Sequence, residues 1–97
     1  MPVIPEASQP EEIAKRLRLT REALGYTQKQ MAELAGVGLT AWNNWERGKG
    51  QRISIDSALA LWFSTGLTLE WIYQGDIESL QVRLAKKIQA EMEKKAT

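Results

Sequence analysis

The amino-acid sequence predicts an all-α protein, and three observations support this fold class. Apolar residues recur at intervals of three and four along most of the chain after residue 10. Ser, Thr or Asp precedes several of these periodic segments, and Gly follows them. No alternating apolar and polar run, hairpin turn or internal repeat is present. With 97 residues and 43% hydrophobic content, the chain is sufficient for one small core.

The first helix is predicted over the segment EEIAKRLRLTREAL, residues 11–24. Ile13, Leu17, Thr20 and Leu24 share one face at helical spacing, and Gly25 is a natural end. The preceding residues 1–10 contain all three prolines and show no periodicity, so they are predicted to form a disordered arm.

The second and third helices are short and lie close together in the sequence. Thr27 begins a capping box, TQKQ, in which the side chain of Gln30 reaches back to the N-cap. The segment AGVG at 35–38 ends that helix, and Gly36 suits a backbone position with positive φ. A third helix is predicted from about Leu39 to Arg47, with Trp42 and Trp45 on its buried face.

Three further helices are predicted in the second half of the chain. Ser54 caps a fourth, whose predicted buried stripe is Ile55, Leu59, Trp62 and Phe63. Thr68 caps a short fifth helix ending at Gly75, and Asp76 caps a last one. The apolar stripe of the last helix is Ile77, Leu80, Leu84, Ile88 and Met92. By helical phase, Trp42, Trp45, Trp62 and Trp71 are all predicted to belong to the core rather than to a base-stacking surface.

The composition argues against several classes of function. The chain has neither Cys nor His, which removes thiolate metal sites and the commonest general base and metal ligand. Its acidic residues form no catalytic spacing, so we expect no enzyme activity, no metal and no cofactor. The N-terminus does not resemble a secretory signal, and no segment approaches the roughly 20 apolar residues of a membrane span. We therefore expect a cytoplasmic protein without membrane contact.

The net charge of +1 conceals a strongly uneven distribution. Residues 13–52 carry eight Lys or Arg and three acids, whereas residues 53–80 carry four acids and no base. The C-terminal residues 81–97 are basic again, with five bases and two acids. A basic block beside an acidic one gives the molecule a polarity that favours an anionic partner on one side.

The segments 28–35 and 39–47, joined by a Gly-containing turn, have the dimensions of a helix-turn-helix. TQKQMAELAGVGLTAWNNWERGKG resembles this motif in the phage-repressor and Cro family, the Xre-like regulators. Leu17 and Arg21 match the first helix of that family, and GLTLEWIYQGD (66–76) matches the end of its fold. The matching residues within the motif are Thr27-Gln28, Met31-Ala32, Gly36-Val37 and Trp45-Glu46-Arg47-Gly48.

The resemblance implies a compact five-helix, repressor-like domain over residues 11–76. Residues 77–97 would form an additional C-terminal helix that serves as a possible dimerisation element. The implied function is that of a bacterial or phage transcriptional regulator, a repressor that binds a double-stranded DNA operator as a homodimer. In this family the second helix of the motif enters the major groove.

Positions in the motif then assign candidate DNA contacts. Amide side chains of Asn pair with adenine, and apolar or methyl groups contact the methyl group of thymine, so some preference for A·T pairs is expected. The base contacts implied by the resemblance are Leu39, Thr40, Asn43 and Asn44. The implied phosphate contacts are Thr27, Gln28, Lys29, Arg47, Lys49, Gln51 and Arg52. Arg21 and Glu46 are implied to form a partly buried ion pair with a structural role.

Two departures from the family pattern and two rival functions remain. Gly38 stands where the family has Ser, and Trp42 stands where it has Ile, which affects docking geometry more than fold.

One rival function is an antitoxin that also binds a toxin; the other is a protein-interaction module that has lost DNA binding. The dimer contact is open between the C-terminal stripe, which is favoured, the pair Trp62 and Phe63, and the pair Trp71 and Tyr73. The C-terminal stripe could also pack against its own domain.

Overall fold

The computed structural model describes residues 3–96 and confirms the predicted all-α fold. Six α-helices are present in this part of the chain, and it contains no strand. The helices are α1 (Pro10–Leu24), α2 (Gln28–Ala35), α3 (Leu39–Glu46), α4 (Ile55–Thr65), α5 (Leu69–Gln74) and α6 (Val82–Ala96).

The boundaries of α2 follow from the local sequence. The Thr27 hydroxyl accepts a hydrogen bond from the backbone N–H of Gln30, and the Gln30 side chain accepts one from the backbone N–H of Thr27. This arrangement is the predicted capping box. At the other end, Gly36 has a φ of 75°, a left-handed conformation that glycine adopts without steric cost. The turn between α2 and α3 is therefore fixed by residues that the sequence identifies.

The core is organised around α1, which packs against α3, α5 and α6, while α2 packs against α3 and α4. Every helix contributes to it, so the six helices form one hydrophobic cluster. The largest fully buried side chains are Ile13, Leu17, Met31, Trp42, Leu61, Leu67, Ile72, Ile88 and Thr20. Trp71 is also buried, and its indole N–H donates to the Thr20 hydroxyl at 2.9 Å.

The structure describes the N-terminal segment from residue 3, and Met1 and Pro2 lie outside the described residues; the disorder expected for residues 1–10 stays a prediction. Glu6–Ser8 form a short 3-10 helix. Ser8 donates to the carbonyl of Tyr73 at 2.6 Å, and the guanidinium of Arg16 donates to the carbonyls of Ala7 and Ile72. These hydrogen bonds hold the segment against α1 and α5 and satisfy its polar groups. Because the segment has no periodic pattern, the sequence did not predict them.

The predicted buried face of α4 is wrong. Ile55 is 56% exposed, Trp62 49% and Phe63 84%, and Leu59 is only partly buried. The buried face of α4 instead consists of Ser57, Ala58 and Leu61. Small residues on this face allow α4 to pack closely against α2, whereas the bulky stripe is left on the surface.

The last predicted helix is interrupted. Asp76 caps only a 3-10 turn, Ile77–Ser79, and Leu80 is extended with its side chain buried. The helix α6 begins at Val82, and its residues Leu84 and Ile88 pack into the core of the same chain. Near its end, Lys95 donates a hydrogen bond to Glu22 of α1 at 2.7 Å, which lowers the pKa of that carboxyl. The C-terminal stripe therefore packs against its own domain.

Candidate nucleic-acid interface

The outward side of α3 carries the residues predicted to contact bases. Leu39 is 49% exposed, and Thr40 and Asn44 are also exposed, whereas Asn43 is half-buried. The helix begins after Gly38, which provides no side-chain cap. These residues form a short row of one apolar, one hydroxyl and two amide side chains on the surface.

The opposite side of α3 is anchored by its two tryptophans. Trp42 is completely buried, and Trp45 is partly buried beside it. Their ring centroids lie 6.0 Å apart with the ring planes at 75°, an edge-to-face arrangement that aromatic pairs prefer. The large ring of Trp42, at the position where the family that the sequence resembles has Ile, is thus accommodated in a core that also contains residues as small as Ala35.

Glu46, the last residue of α3, is the centre of a buried polar network. Its carboxylate accepts hydrogen bonds from Arg21 Nε at 2.7 Å and from the second guanidinium nitrogen of Arg21 at 3.1 Å. The indole N–H of Trp42 donates to the same carboxylate at 2.5 Å. Only 3% of the Glu46 side chain and 16% of the Arg21 side chain are exposed. The ion pair therefore ties α1 to α3, as the resemblance implied, and also holds the buried tryptophan.

Gln28 extends this network to the surface. Its amide nitrogen donates to Glu46 at 3.2 Å, and its amide oxygen accepts from Asn43 Nδ2 at 3.3 Å. Asn43 keeps its carbonyl oxygen and one amide hydrogen for another partner. Gln28 thus orients the Asn43 amide, whereas the sequence predicted for it only a phosphate contact.

The cationic and polar residues that follow α3 lie beside its outward row. Arg47, Lys49 and Gln51 are exposed. Asn44, Lys49 and Gln51 line a surface hollow of about 340 Å³ next to Trp45. The structure therefore brings one predicted base contact together with two predicted phosphate contacts.

Three of the other predicted phosphate contacts differ in their surroundings. Lys29 is exposed near the beginning of α2. The Thr27 hydroxyl oxygen accepts the capping-box hydrogen bond from Gln30, and its O–H remains a donor. Arg52 is partly buried, and its Nε donates to the carbonyl of Ser8 at 2.7 Å, so part of its guanidinium holds the N-terminal segment.

The loop between α3 and α4 is held in place at both ends. Gly48 has a φ of 67°, and a Cβ atom there would lie 3.1 Å from the Cα of Glu11, so α1 approaches the loop backbone closely. At the other end, the Tyr73 hydroxyl donates to the carbonyl of Ile53 at 2.6 Å. Burial raises the pKa of Tyr73. These contacts position Lys49 and Gln51 relative to α3.

Other kinds of site find little support within residues 3–96. No group of three or more acidic, His or Cys side chains there could hold a metal ion. Among the helices of the same region, none combines the length and the apolar character that crossing a bilayer requires.

A family model described as a helix-turn-helix domain matches residues 12–61, about half of the chain. The match begins in α1, includes the whole of α2 and α3 and ends in α4. The chain belongs to this helix-turn-helix family. Comparisons with curated proteins and with solved structures found no significant match. Because a helix-turn-helix presents its second helix to a DNA groove, membership of the family supports a DNA-binding regulator.

The role of Gln28 in this helix-turn-helix domain yields a stability prediction. Replacing Gln28 with Ala removes two hydrogen bonds and is expected to lower the free energy of unfolding by about 0.5–1.5 kcal/mol. At neutral pH, Gln28→Glu is expected to lower the free energy of unfolding further than Gln28→Ala does, because it adds a second carboxylate beside the buried Glu46. Denaturant unfolding measures both.

Gln89→Glu, at an exposed site on α6, is the matched control and should change stability by less than about 0.5 kcal/mol. Equal stability of Gln28→Glu and the native protein would contradict the network.

Proposed function

We propose that this chain is a sequence-specific transcriptional regulator of the Xre-like, Cro-related kind. It binds a double-stranded DNA operator as a homodimer, with α3 in the major groove. Promoter occlusion by the bound protein makes it a repressor, and its origin is bacterial or phage. The resemblance of residues 12–76 to that family supports this finer assignment.

The observation that carries the proposal is the opposite character of the two sides of α3. Inward, Trp42 is completely buried and bonded to Glu46, which in turn is paired with Arg21. Outward, Leu39, Thr40 and Asn44 are exposed. A helix held this firmly presents its polar row with little freedom, and such preorganisation lowers the entropic cost of binding.

The outward residues support direct reading of A·T pairs. Asn44 has both an amide donor and a carbonyl acceptor, the combination that pairs with N6 and N7 of adenine. Asn43 retains the same combination after its hydrogen bond to Gln28. Leu39 and the methyl group of Thr40 suit contact with the methyl group of thymine.

Phosphate contacts supply affinity in this proposal. Lys29, Arg47 and Lys49 are exposed cations on α2, at the end of α3 and in the following loop. Such contacts fix the register of a protein on the duplex and make binding dependent on salt. Gln28, Gln51, Thr27 and Arg52 complete the proposed phosphate set, with Arg52 in a reduced role because it also bonds Ser8.

One observation favours a second candidate function, that of a protein-interaction module or an antitoxin that binds a toxin. Ile55, Trp62 and Phe63 form an exposed apolar stripe on α4. Monomeric proteins rarely expose large contiguous apolar surfaces without a partner. An interaction module would combine a protein partner on α4 with little affinity for DNA.

The salt dependence of binding to duplex DNA tests the proposal. For the native chain we expect log K to fall with log salt at a slope of about −0.9 for each neutralised phosphate. Lys49→Ala should reduce the slope by about 1, because it removes one phosphate contact. Lys87→Ala, an exposed cation on α6, is the control and should leave the slope unchanged. A slope near zero for the native chain would favour the interaction module instead.

A further inference from the structure

The exposed stripe on α4 places a projecting aromatic ring beside a surface hollow. Phe63 projects from it, with 84% of its surface exposed, and its ring lies 5.2 Å from that of Trp62 between centroids. Immediately beside these rings is a surface hollow of about 340 Å³. The hollow is lined by Leu59, Trp62, Thr68, Leu69 and Glu70.

We propose that the α4 stripe is the homodimer contact, in which Phe63 of each chain inserts into the α4–α5 hollow of a second copy. This inference deepens the proposed function, since it names the surface through which the proposed homodimer forms. In a two-fold interface the same patch of both chains is in contact. A side chain that projects beside a hollow on one chain can therefore enter the hollow of the other chain, and the same contact forms in the reverse direction. The hollow is large enough for a phenyl ring.

Charge disfavours an anionic polymer or an anionic bilayer as the occupant of this surface. Residues 53–80 contain no Lys or Arg, and the one charged residue that lines the hollow is Glu70. A phosphate-bearing partner would therefore meet a carboxylate and no cation in the hollow. The occupant that the surface fits is apolar at its centre, as a second copy of the stripe is.

The stripe supplies the apolar centre of a dimer interface rather than its whole area. A buried aromatic side chain contributes about 150–250 Å². Together with Ile55, the exposed parts of Trp62 and Phe63 therefore supply on the order of 300 Å² per chain, against about 800 Å² per partner in an ordinary interface. Polar residues around the stripe would form the rim, as in most interfaces.

The main alternative surface is already occupied within the chain. Leu84 and Ile88 of α6 are buried in the core of their own domain, so that part of the C-terminal stripe is not free to pair, and Met92 at its end is 40% exposed. The stripe on α4, by contrast, is exposed along its length, from Ile55 at 56% to Phe63 at 84%.

Sedimentation of the full chain over a range of concentrations tests the inference. The native chain should form a two-chain species, and Phe63→Glu should remain a single chain because it places a carboxylate in the partner's apolar hollow. Phe63→Ala should weaken the association without adding charge. The matched control is Val82→Glu at the start of α6, a residue that is 70% exposed outside the stripe, and it should leave the two-chain species intact. Thermal melting of dilute samples verifies that each variant is folded.

The outcomes separate this inference from the proposed DNA function. A single-chain native protein, or a Phe63→Glu variant that still pairs, would overturn the α4 contact even if the protein binds DNA. Concentration-dependent pairing that Phe63→Glu abolishes would support it even if no duplex is bound. The Phe63→Glu variant, which no longer pairs, should bind a palindromic duplex obtained by selection about 100-fold or more weakly than the native chain does. Its affinity for a duplex that contains one half-site should be unchanged.

Discussion

Replacing Arg21 with Ala is expected to cause the largest loss of stability among single substitutions in the polar network. The change leaves the carboxylate of Glu46, only 3% exposed, without its cation. Removing one partner of a buried pair costs about 3–5 kcal/mol, because the remaining charge is neither hydrated nor neutralised. For a domain of this size, such a loss lowers the melting temperature by at least about 12 °C. Calorimetry or circular dichroism measures the shift.

A matched control lies one turn earlier on the same helix. Arg18 is 63% exposed and approaches Glu22 at 3.7 Å, a surface pair worth less than about 1 kcal/mol. Arg18→Ala should therefore change the melting temperature only slightly. An Arg21→Ala variant that melts as the native protein does, or no lower than Arg18→Ala, would show that the buried pair does not hold α1 to α3.

Replacing Asn44 with Ala is expected to have the largest effect on specific binding. The Asn44 side chain is exposed on α3, and it lines the hollow that Lys49 and Gln51 share. Loss of a bidentate contact to a base costs about 1–3 kcal/mol, whereas binding to unrelated DNA depends on phosphates and should hardly change. Titration of a selected duplex and of a scrambled duplex at the same salt concentration gives both affinities.

Gln74→Ala is the control for this pair of titrations. Gln74 is an exposed amide at the end of α5, and its removal should change neither affinity. Equal losses on both duplexes for Asn44→Ala would indicate a general contact. No loss on either would remove Asn44 from the set of base contacts.

The parts of the fold that the sequence predicts correctly depend on local chemistry. The capping box of Thr27 and Gln30 and the positive φ of Gly36 require only a few neighbouring residues, and the structure contains both. The buried position of Trp42 follows from helical phase, and that prediction is confirmed. The hydrogen bond from Trp42 to Glu46 joins positions i and i+4 of one helix, so helical spacing could have indicated it as well.

The prediction for α4 fails for a physical reason. Both faces of that helix are apolar, and the bulkier stripe that contains Trp62 and Phe63 gives the stronger periodic signal. The structure buries the face of Ser57 and Ala58, because small side chains allow close approach to α2. Periodicity identifies an apolar face, but it does not say whether a helix of the same chain or a second chain covers it.

The sequence predicts the part of the candidate site that lies on one helix, but not the contacts between different helices. Helical phase and the family resemblance predict that Asn43 and Asn44 face outward; the structure exposes Asn44 and leaves Asn43 half-buried. The contact of Gln28 with both Asn43 and Glu46 joins residues that are far apart in sequence, so no spacing rule predicts it. The partial burial of Arg52 likewise depends on the N-terminal segment, which lacks a periodic pattern.

Selection from a random duplex library with the native chain is the experiment of greatest value, because it asks whether the outward side of α3 reads DNA sequence. We expect an enriched palindrome whose half-sites lie about one helical turn apart. This duplex should be bound about 10³-fold or more tightly than a scrambled duplex at the same salt concentration. Failure to enrich any sequence, or equal affinity for selected and scrambled duplexes, would show that α3 does not read DNA sequence.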